Sequence, residues 1–209
     1  AYRKALSGSP DFVDALANLG GLLQERGAIA EAIGLLRSAI EKSPDHANAH
    51  MNLGNALRQD GLVEEAEAAH RTAVRLAPLS PETHANLANT LMDRDALDEA
   101  GRVLKRALLL APALAEAANS AGFLQFNLQN FNAAQRWFFR AVRLAPGYAA
   151  PQTGLAELAY FSGDIEASLK HSEAALRLAP DEPQIHLRHA IRLLATGRLE
   201  EGWREREWR

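Results

Sequence analysis

In ALANLGGLLQER, Ala15 to Arg26, apolar residues return every three or four positions. That spacing gathers side chains onto one face of a helix. A second run with the same rhythm, IAEAIGLLRSAIEKS, follows Gly27, where a missing Cβ makes left-handed turn backbone cheap. Pro44 then closes the run, because its ring cannot continue the helical hydrogen-bond ladder. The pattern predicts helix, turn, helix, stop.

This phrase recurs along the chain. Pro10, Pro44, Pro78, Pro112, Pro146 and Pro180 stand at a constant step of 34 residues. Ala5, Ala39, Ala73, Ala107, Ala141 and Ala175 precede them by five. Leu19, Leu53, Leu87 and Leu155 share one phase, each followed by Gly or Ala: Gly20, Gly54, Ala88 and Ala156. Ala32, Ala66, Ala100 and Ala134 form another small column, and Gly27, Gly61, Gly163 and Gly197 mark the turns. Small residues let helix backbones approach closely while leucines fill the grooves between them.

A 34-residue helix–turn–helix of this kind resembles the tetratricopeptide repeat (TPR), and the resemblance covers essentially the whole chain. It implies an all-α fold, a TPR solenoid forming a right-handed superhelix of antiparallel helix pairs. In the family's register, residues 1–12 are the second helix of a truncated repeat. Complete repeats follow at 13–46, 47–80, 81–114, 115–148 and 149–182, and residues 183–209 form a terminal TPR-like helix pair, junction or cap. All belong to one solenoid domain on this reading, and the chain reads as an excised piece of a longer protein. Half repeats at the ends of such a stack expose apolar surface unless something covers them.

Composition narrows the function. The 209 residues are 47% hydrophobic and 23% charged with a net charge of −3, so no basic face points to nucleic acid. There is no cysteine, which excludes disulfides and thiolate chemistry and fits a cytoplasmic protein. The longest apolar candidate, Ala107 to Ala118, is broken by Pro112, short of the roughly 18 residues of a membrane span. His50, His84 and His186 occupy the fourth position of their repeats, where the TPR family places a packing aromatic. One repeat apart, they are too distant to share an ion with Zn–N bonds of about 2.0–2.1 Å, and His70, His171 and His189 lack metal-binding partners at useful spacing. No phosphate loop, nucleophile elbow or paired-carboxylate signature occurs. We expect no catalytic residue, no metal and no cofactor in this chain.

In the TPR family the first helices line the concave surface, which makes their outward positions the candidates for binding. Asn18, Asn52 and Asn86 hold one phase, with Asn55 and Asn89 one helical turn later. A primary amide carries a donor and an acceptor, so it can grip a ligand's backbone without reading its side chains. Neighbouring helices lie about 8–10 Å apart, near three residues of extended chain at about 3.3 Å each. The column resembles the asparagine ladder of O-GlcNAc transferases, which holds extended protein substrates. The other reading is that NLGN, Asn52 to Asn55, simply keeps a helix face soluble. The ladder fades to Ser120, Gly154 and Arg188 in later repeats. There Phe123, Phe126, Tyr160 and Phe161 offer an apolar anchor, unless Phe126 packs inward to compensate for Gln125 at a leucine position. Trp137, Phe138 and Phe139 sit on a second helix, with Phe138 at a core phase. Chaperone co-factors of the family clamp a carboxylate with first-helix cations. This chain has Ala17, Met51 and Ala85 at those phases and only Arg188 of the right kind, so no clamp is expected.

The chain closes on GRLEEGWREREWR. Gly202 keeps the small-residue column, but Arg206 falls where Leu36, Leu104 and Phe138 pack, and Arg209 where earlier repeats have Ala. Another repeat docking there would bury unpaired charge at a cost of several kcal/mol. Trp203 and Trp208 lie about 140° apart round a helix of 3.6 residues per turn, so one should face away from the preceding repeat. EGWREREWR resembles the last repeat of bacterial TPR proteins that continue into a glycosyltransferase domain, with Arg206 in place of a tyrosine. The resemblance implies a domain junction at Trp203, Arg206, Trp208 and Arg209. The expected partners are a protein or peptide ligand and a C-terminal catalytic domain outside this chain. The alternative is a stand-alone scaffold for protein assembly.

Overall fold

The computed structural model describes residues 13–208. The truncated helix expected over residues 1–12 and the junction residue Arg209 lie outside them. Every described element is α-helical. Six first helices, α1 (Val13–Glu25), α3 (Ala47–Gln59), α5 (Pro81–Asp93), α7 (Ala115–Asn127), α9 (Ala150–Phe161) and α11 (Pro183–Ala195), alternate with six second helices. The latter are α2 (Ile29–Lys42), α4 (Val63–Leu76), α6 (Leu97–Leu110), α8 (Phe131–Leu144), α10 (Ile165–Leu178) and α12 (Leu199–Arg206). The chain divides into two compact units, one up to Pro112 and one from Ala113 onward. Each described unit contains three helix pairs, α1–α6 and α7–α12.

The turn inside each pair is set by one backbone position. Gly27, Gly61, Gly163 and Gly197 all have φ between 76° and 84°. Asp95 (φ 58°) and Gln129 (φ 60°) adopt the same conformation without being glycine, so the turn is enforced by its surroundings. The residue after each closes a bond back to the helix: Ala28 N–H to the Leu23 carbonyl, Leu62 to Leu57, Ala96 to Leu91, Asn130 to Gln125. This is the Schellman-type closure of a helix C-terminus.

The proline and alanine columns share a cause. Ser43, Ala77, Ala111, Ala145 and Ala179 cap the second helices and donate their N–H to Ala39, Ala73, Ala107, Ala141 and Ala175. Those alanines are fully buried, and a proline follows each cap, so the helix cannot run on. Starts are varied. Ser80 and Asp164 accept from the N–H groups of Thr83 and Ala167. At α3 the Nδ1 of His46 accepts from Ala49 N–H at 3.1 Å while its other nitrogen meets Asp14 at 2.8 Å.

In the first unit the core joins Leu19, Leu23, Ile33, Leu36, Leu53 and Leu57. In the second it centres on Phe138 with Ala134 and Leu155. Three of the helix pairs close through a second-helix side chain that presses on a glycine of the first. A Cβ at Gly20 would strike Leu36, one at Gly54 would strike His70, and one at Gly122 would strike Phe138. Leu36, His70 and Phe138 are each fully buried.

Candidate functional site

The first-helix asparagines of the N-terminal unit divide by what their amides already hold. Asn18 is exposed; Asn52, Asn55, Asn86 and Asn89 are half-buried. Asn52 donates from Nδ2 to the Ala17 carbonyl at 3.2 Å, tying α3 to α1. Asn55 presents Oδ1 to His70 Nε2 at 3.2 Å. Asn86 and Asn89, one turn apart on α5, have side chains with no partner among the described residues. The same phase thus carries structural amides on α3 and unspent ones on α5.

On α9 a packing event removes the column. The ring of Phe138 on α8 lies where a Cβ at Gly154 would be, as well as against Gly122. Gly154 is the ladder-phase residue of α9, and with Phe138 in place no side chain fits there. Phe123 stands edge-on to Phe138, ring centroids 5.0 Å apart, as part of that core. Its ring is engaged in packing. Phe126 also packs on this core, and its ring meets Phe131 at 5.8 Å and Phe161 at 5.7 Å. Phe131 and Phe161 are 5.1 Å apart. Phe161 stays 64% exposed and Tyr160 38% exposed, so these two remain available. Tyr160 has the guanidinium of Arg192 5.9 Å from its ring centre. On α8, Phe139 is 44% exposed and stands edge-on to His171, while Trp137 lies under Arg140 at 5.1 Å.

All seven histidines are hydrogen-bonded, His46 through Asp14 and Ala49 at the start of α3. His50 and His186 reach the carbonyls of Pro44 and Pro180 at 2.8 Å, and His84 that of Ser80 at 2.9 Å. The partners of the other three cross between helices, which is why linear spacing did not show them. His70 pairs with Thr90 Oγ1 at 2.8 Å, His171 with Gln152 at 2.8 Å, and His189 with Ser172 Oγ at 2.7 Å. Burial, reinforced by the charge of Arg58, pushes the His70 imidazole down to about 4. Desolvation also holds His171 and His189 below the ordinary imidazole value. No group of three or more His, Asp or Glu that could hold a metal occurs among the described residues.

Charge is organised as well. Glu67, buried on α4, receives Arg71 Nε at 2.7 Å and Arg94. Arg71 also reaches Glu99 at 3.0 Å. The Arg94 hydrogen bond, with help from Arg71, holds the Glu67 carboxyl below the usual carboxylate range against the opposing effect of burial.

At the C-terminus helix α12 stops at Arg206, so Trp208 lies past its end and the helical angle expected from the sequence does not apply to the two tryptophans. Trp208 folds back to stack on His186, while Trp203 is 50% exposed with Arg206 over its ring at 5.0 Å. Glu205 Oε2 lies 2.6 Å from His186 Nδ1 and fixes the ring beneath Trp208.

The tetratricopeptide-repeat family model matches residues 1–45 and 22–81. Those residues carry tetratricopeptide repeats. Solved TPR structures share the fold. The chain superposes on one from the hetero-tetramer Cut9–Hcn1 with a TM-score of 0.82 at 17% identity, over 98% of this chain and 42% of that one. It therefore spans less than half the length of that relative. A thermophilic TPR protein of Thermus thermophilus, TTC0263, gives 0.79 at 23% identity, over 87% and 99% of the two chains. YrrB, described as a TPR protein with an unusual peptide-binding site, gives 0.56 at 20% identity, over 95% and 98%. Comparison with curated protein sequences gives no match.

The candidate residues left exposed or without a hydrogen-bond partner among the described residues are the amides of Asn86 and Asn89 on α5, the rings of Tyr160 and Phe161 at the end of α9, and Trp203 on α12. No helix among the described residues is long and apolar enough to cross a membrane.

Proposed function

We propose that this TPR chain is a protein-interaction module whose first helices hold an extended polypeptide. The observation that carries the reading is the pair Asn86 and Asn89, one turn apart on α5 with amides that no described residue engages. Two such amides can each supply a donor and an acceptor to a ligand backbone. Asn18 would extend the contact, and Asn52 would contribute its Oδ1, its Nδ2 being held by Ala17. The likeness to YrrB, whose own description includes a peptide-binding site, supports the class of ligand.

The test is a comparison of the wild-type chain with Asn86→Ala/Asn89→Ala against a displayed library of unstructured peptides. Wild type should enrich binders, and the double variant should bind the same peptides at least about tenfold more weakly, roughly 1.4 kcal/mol, with helical content unchanged by circular dichroism. Equal binding by both proteins would overturn the reading.

The module's role, on this proposal, is to recruit protein substrate to a linked glycosyltransferase domain, a role suggested by the resemblance of the EGWREREWR ending. The exposed ring of Trp203 supports a junction there. A nucleotide-sugar-binding domain encoded after Arg209 would support this role; further repeats or a stop would favour the stand-alone scaffold.

A further inference from the structure

The turn between α7 and α8 keeps polar side chains where the fold asks for none. Its left-handed position is glycine in four other pairs, at Gly27, Gly61, Gly163 and Gly197, yet Gln129 holds it here with φ 60°. A side chain in that region costs conformational energy that glycine avoids. Asn130, at the N-cap of α8, makes no side-chain cap hydrogen bond, although accepting from the first helical turn is the ordinary use of asparagine there. Its Nδ2 donates to Gln125 Oε1 at 3.2 Å. That bond fixes both amides and leaves Asn130 Oδ1 and Gln125 Nε2 uncommitted.

Gln125, Gln129, Asn130 and Asn132 line an open cavity of about 650 Å³ together with Phe131 and Arg136. Small-molecule sites occupy about 300–1,000 Å³. Among the described residues no carboxylate and no lysine lines the cavity, and the side chains of Gln129, Asn132 and Arg136 have no partner. Phe131 supplies the apolar wall. It is half-buried, and its ring is steadied by Phe126 at 5.8 Å and Phe161 at 5.1 Å. Four primary amides, one guanidinium and one fixed aromatic ring thus meet in a single depression.

We propose that this cavity binds a neutral saccharide. A primary amide holds an acceptor oxygen and a donor nitrogen side by side, so one amide engages two adjacent sugar hydroxyls at once. The negative face of an aromatic ring attracts the polarised C–H groups on the flat side of a pyranose, and Phe131 is placed for that contact. Arg136 adds donors for hydroxyl oxygens. A phosphate or carboxylate ligand would meet one cation and the oxygens of several amides. An apolar peptide side chain would meet one ring in a lining otherwise polar. The site belongs to the turn of one helix pair in the C-terminal unit. It uses none of the asparagines assigned to polypeptide and is independent of that reading.

The test uses the full chain, ¹⁵N-labelled, titrated with maltose, cellobiose, lactose and N,N′-diacetylchitobiose. Inorganic phosphate and the blocked peptide acetyl-Gly-Ser-Gly-amide serve as controls. Side-chain amide resonances of Gln125, Gln129, Asn130 and Asn132 should shift saturably with at least one disaccharide and with neither control. Gln129→Gly removes an amide while suiting the backbone, so it should keep or raise the melting temperature. The double variant Gln129→Gly/Asn132→Ala should bind the disaccharide at least about tenfold more weakly, the loss of two hydrogen-bonding groups. Linking the same disaccharide to a short peptide separates two sources of the ligand. Tighter binding then assigns a protein-linked glycan, and equal binding assigns recognition of the sugar alone. No amide shift with any disaccharide at tens of millimolar overturns the proposal. Shifts with phosphate or peptide alone, or undiminished binding by the folded double variant, do so as well.

Discussion

The imidazole of His186 lies flat on the indole of Trp208, with ring centroids 3.8 Å apart and planes only 6° from parallel. Residues at the two ends of the last helix pair are thereby fastened together, and Glu205 and the Pro180 carbonyl hold the imidazole from its edge. Trp208→Ala should therefore cost about 1–2 kcal/mol of stability in the C-terminal unit, the scale of an aromatic contact plus its buried area. Trp203→Ala, removing an indole that is half exposed, should cost under about 0.5 kcal/mol. Urea melts followed by circular dichroism compare the two, and equal losses would refute the separation of roles.

His70 makes the N-terminal unit sensitive to mild acid. Its folded pKa of about 4 lies below the ordinary 6.5, so the unfolded chain binds the proton first as pH falls. The stability it contributes is present above pH 6.5 and is lost progressively toward pH 4. The full shift corresponds to about 3 kcal/mol. The His70→Leu variant, adopting the side chain of Leu36 and Leu104 at that phase, should flatten the dependence between these limits. Urea midpoints across the pH range for both proteins are the measurement.

Glu67 acts in a different window. Its carboxyl is held below the usual range by Arg94 and Arg71, so its contribution is present above pH 4.5 and disappears as pH falls below it. In the His70→Leu background the remaining acid destabilisation should fall in this lower window, and adding Glu67→Gln should reduce it, Glu99 and Glu201 being held low by Arg71 and Arg198 in the same way. At neutral pH Glu67→Gln should cost about 2 kcal/mol, the scale of hydrogen bonds to a charged group. A Glu67→Gln protein as stable as wild type at neutral pH would contradict the network.

The ring of Phe138 is a tight fit. Gly122→Ala or Gly154→Ala should each destabilise by about 1–3 kcal/mol through overpacking, and Phe138→Leu in the same chain should recover part of the loss. Gly34, with nothing within 4 Å of an added Cβ, supplies the control. Gly34→Ala on the open face of α2 should gain up to about 1 kcal/mol from helix propensity alone. Thermal melts compare these variants with wild type, and a harmless Gly154→Ala would refute the account of why no side chain stands at that ladder position.

The repeat register was legible because each of its signals is a backbone requirement. Proline past the cap, alanine beneath it and a left-handed turn are visible in one dimension. Asp95 and Gln129 escaped that reading, since neither residue type announces a positive φ. The candidate site was less legible, because phase says which face a side chain occupies but not what it has already bonded. Asn52 and Asn86 share a phase, and only the contact with the Ala17 carbonyl separates them. Likewise nothing in the sequence marks Arg192; its burial beside Glu157 and Ser168 depends on three different helices.

Where a second helix meets its first, Leu36 is matched to Gly20, His70 to Gly54 and Phe138 to Gly122. These three matches are struck inside one helix–turn–helix, so a duplication that copied a whole pair would carry both halves of each, and Phe138 also leans on the next pair, at Gly154. Exchanging single helices between pairs would set Phe138 against an alanine or leave Leu36 beside too much room. In a chain that grows by repetition, the indivisible unit of inheritance is then the pair.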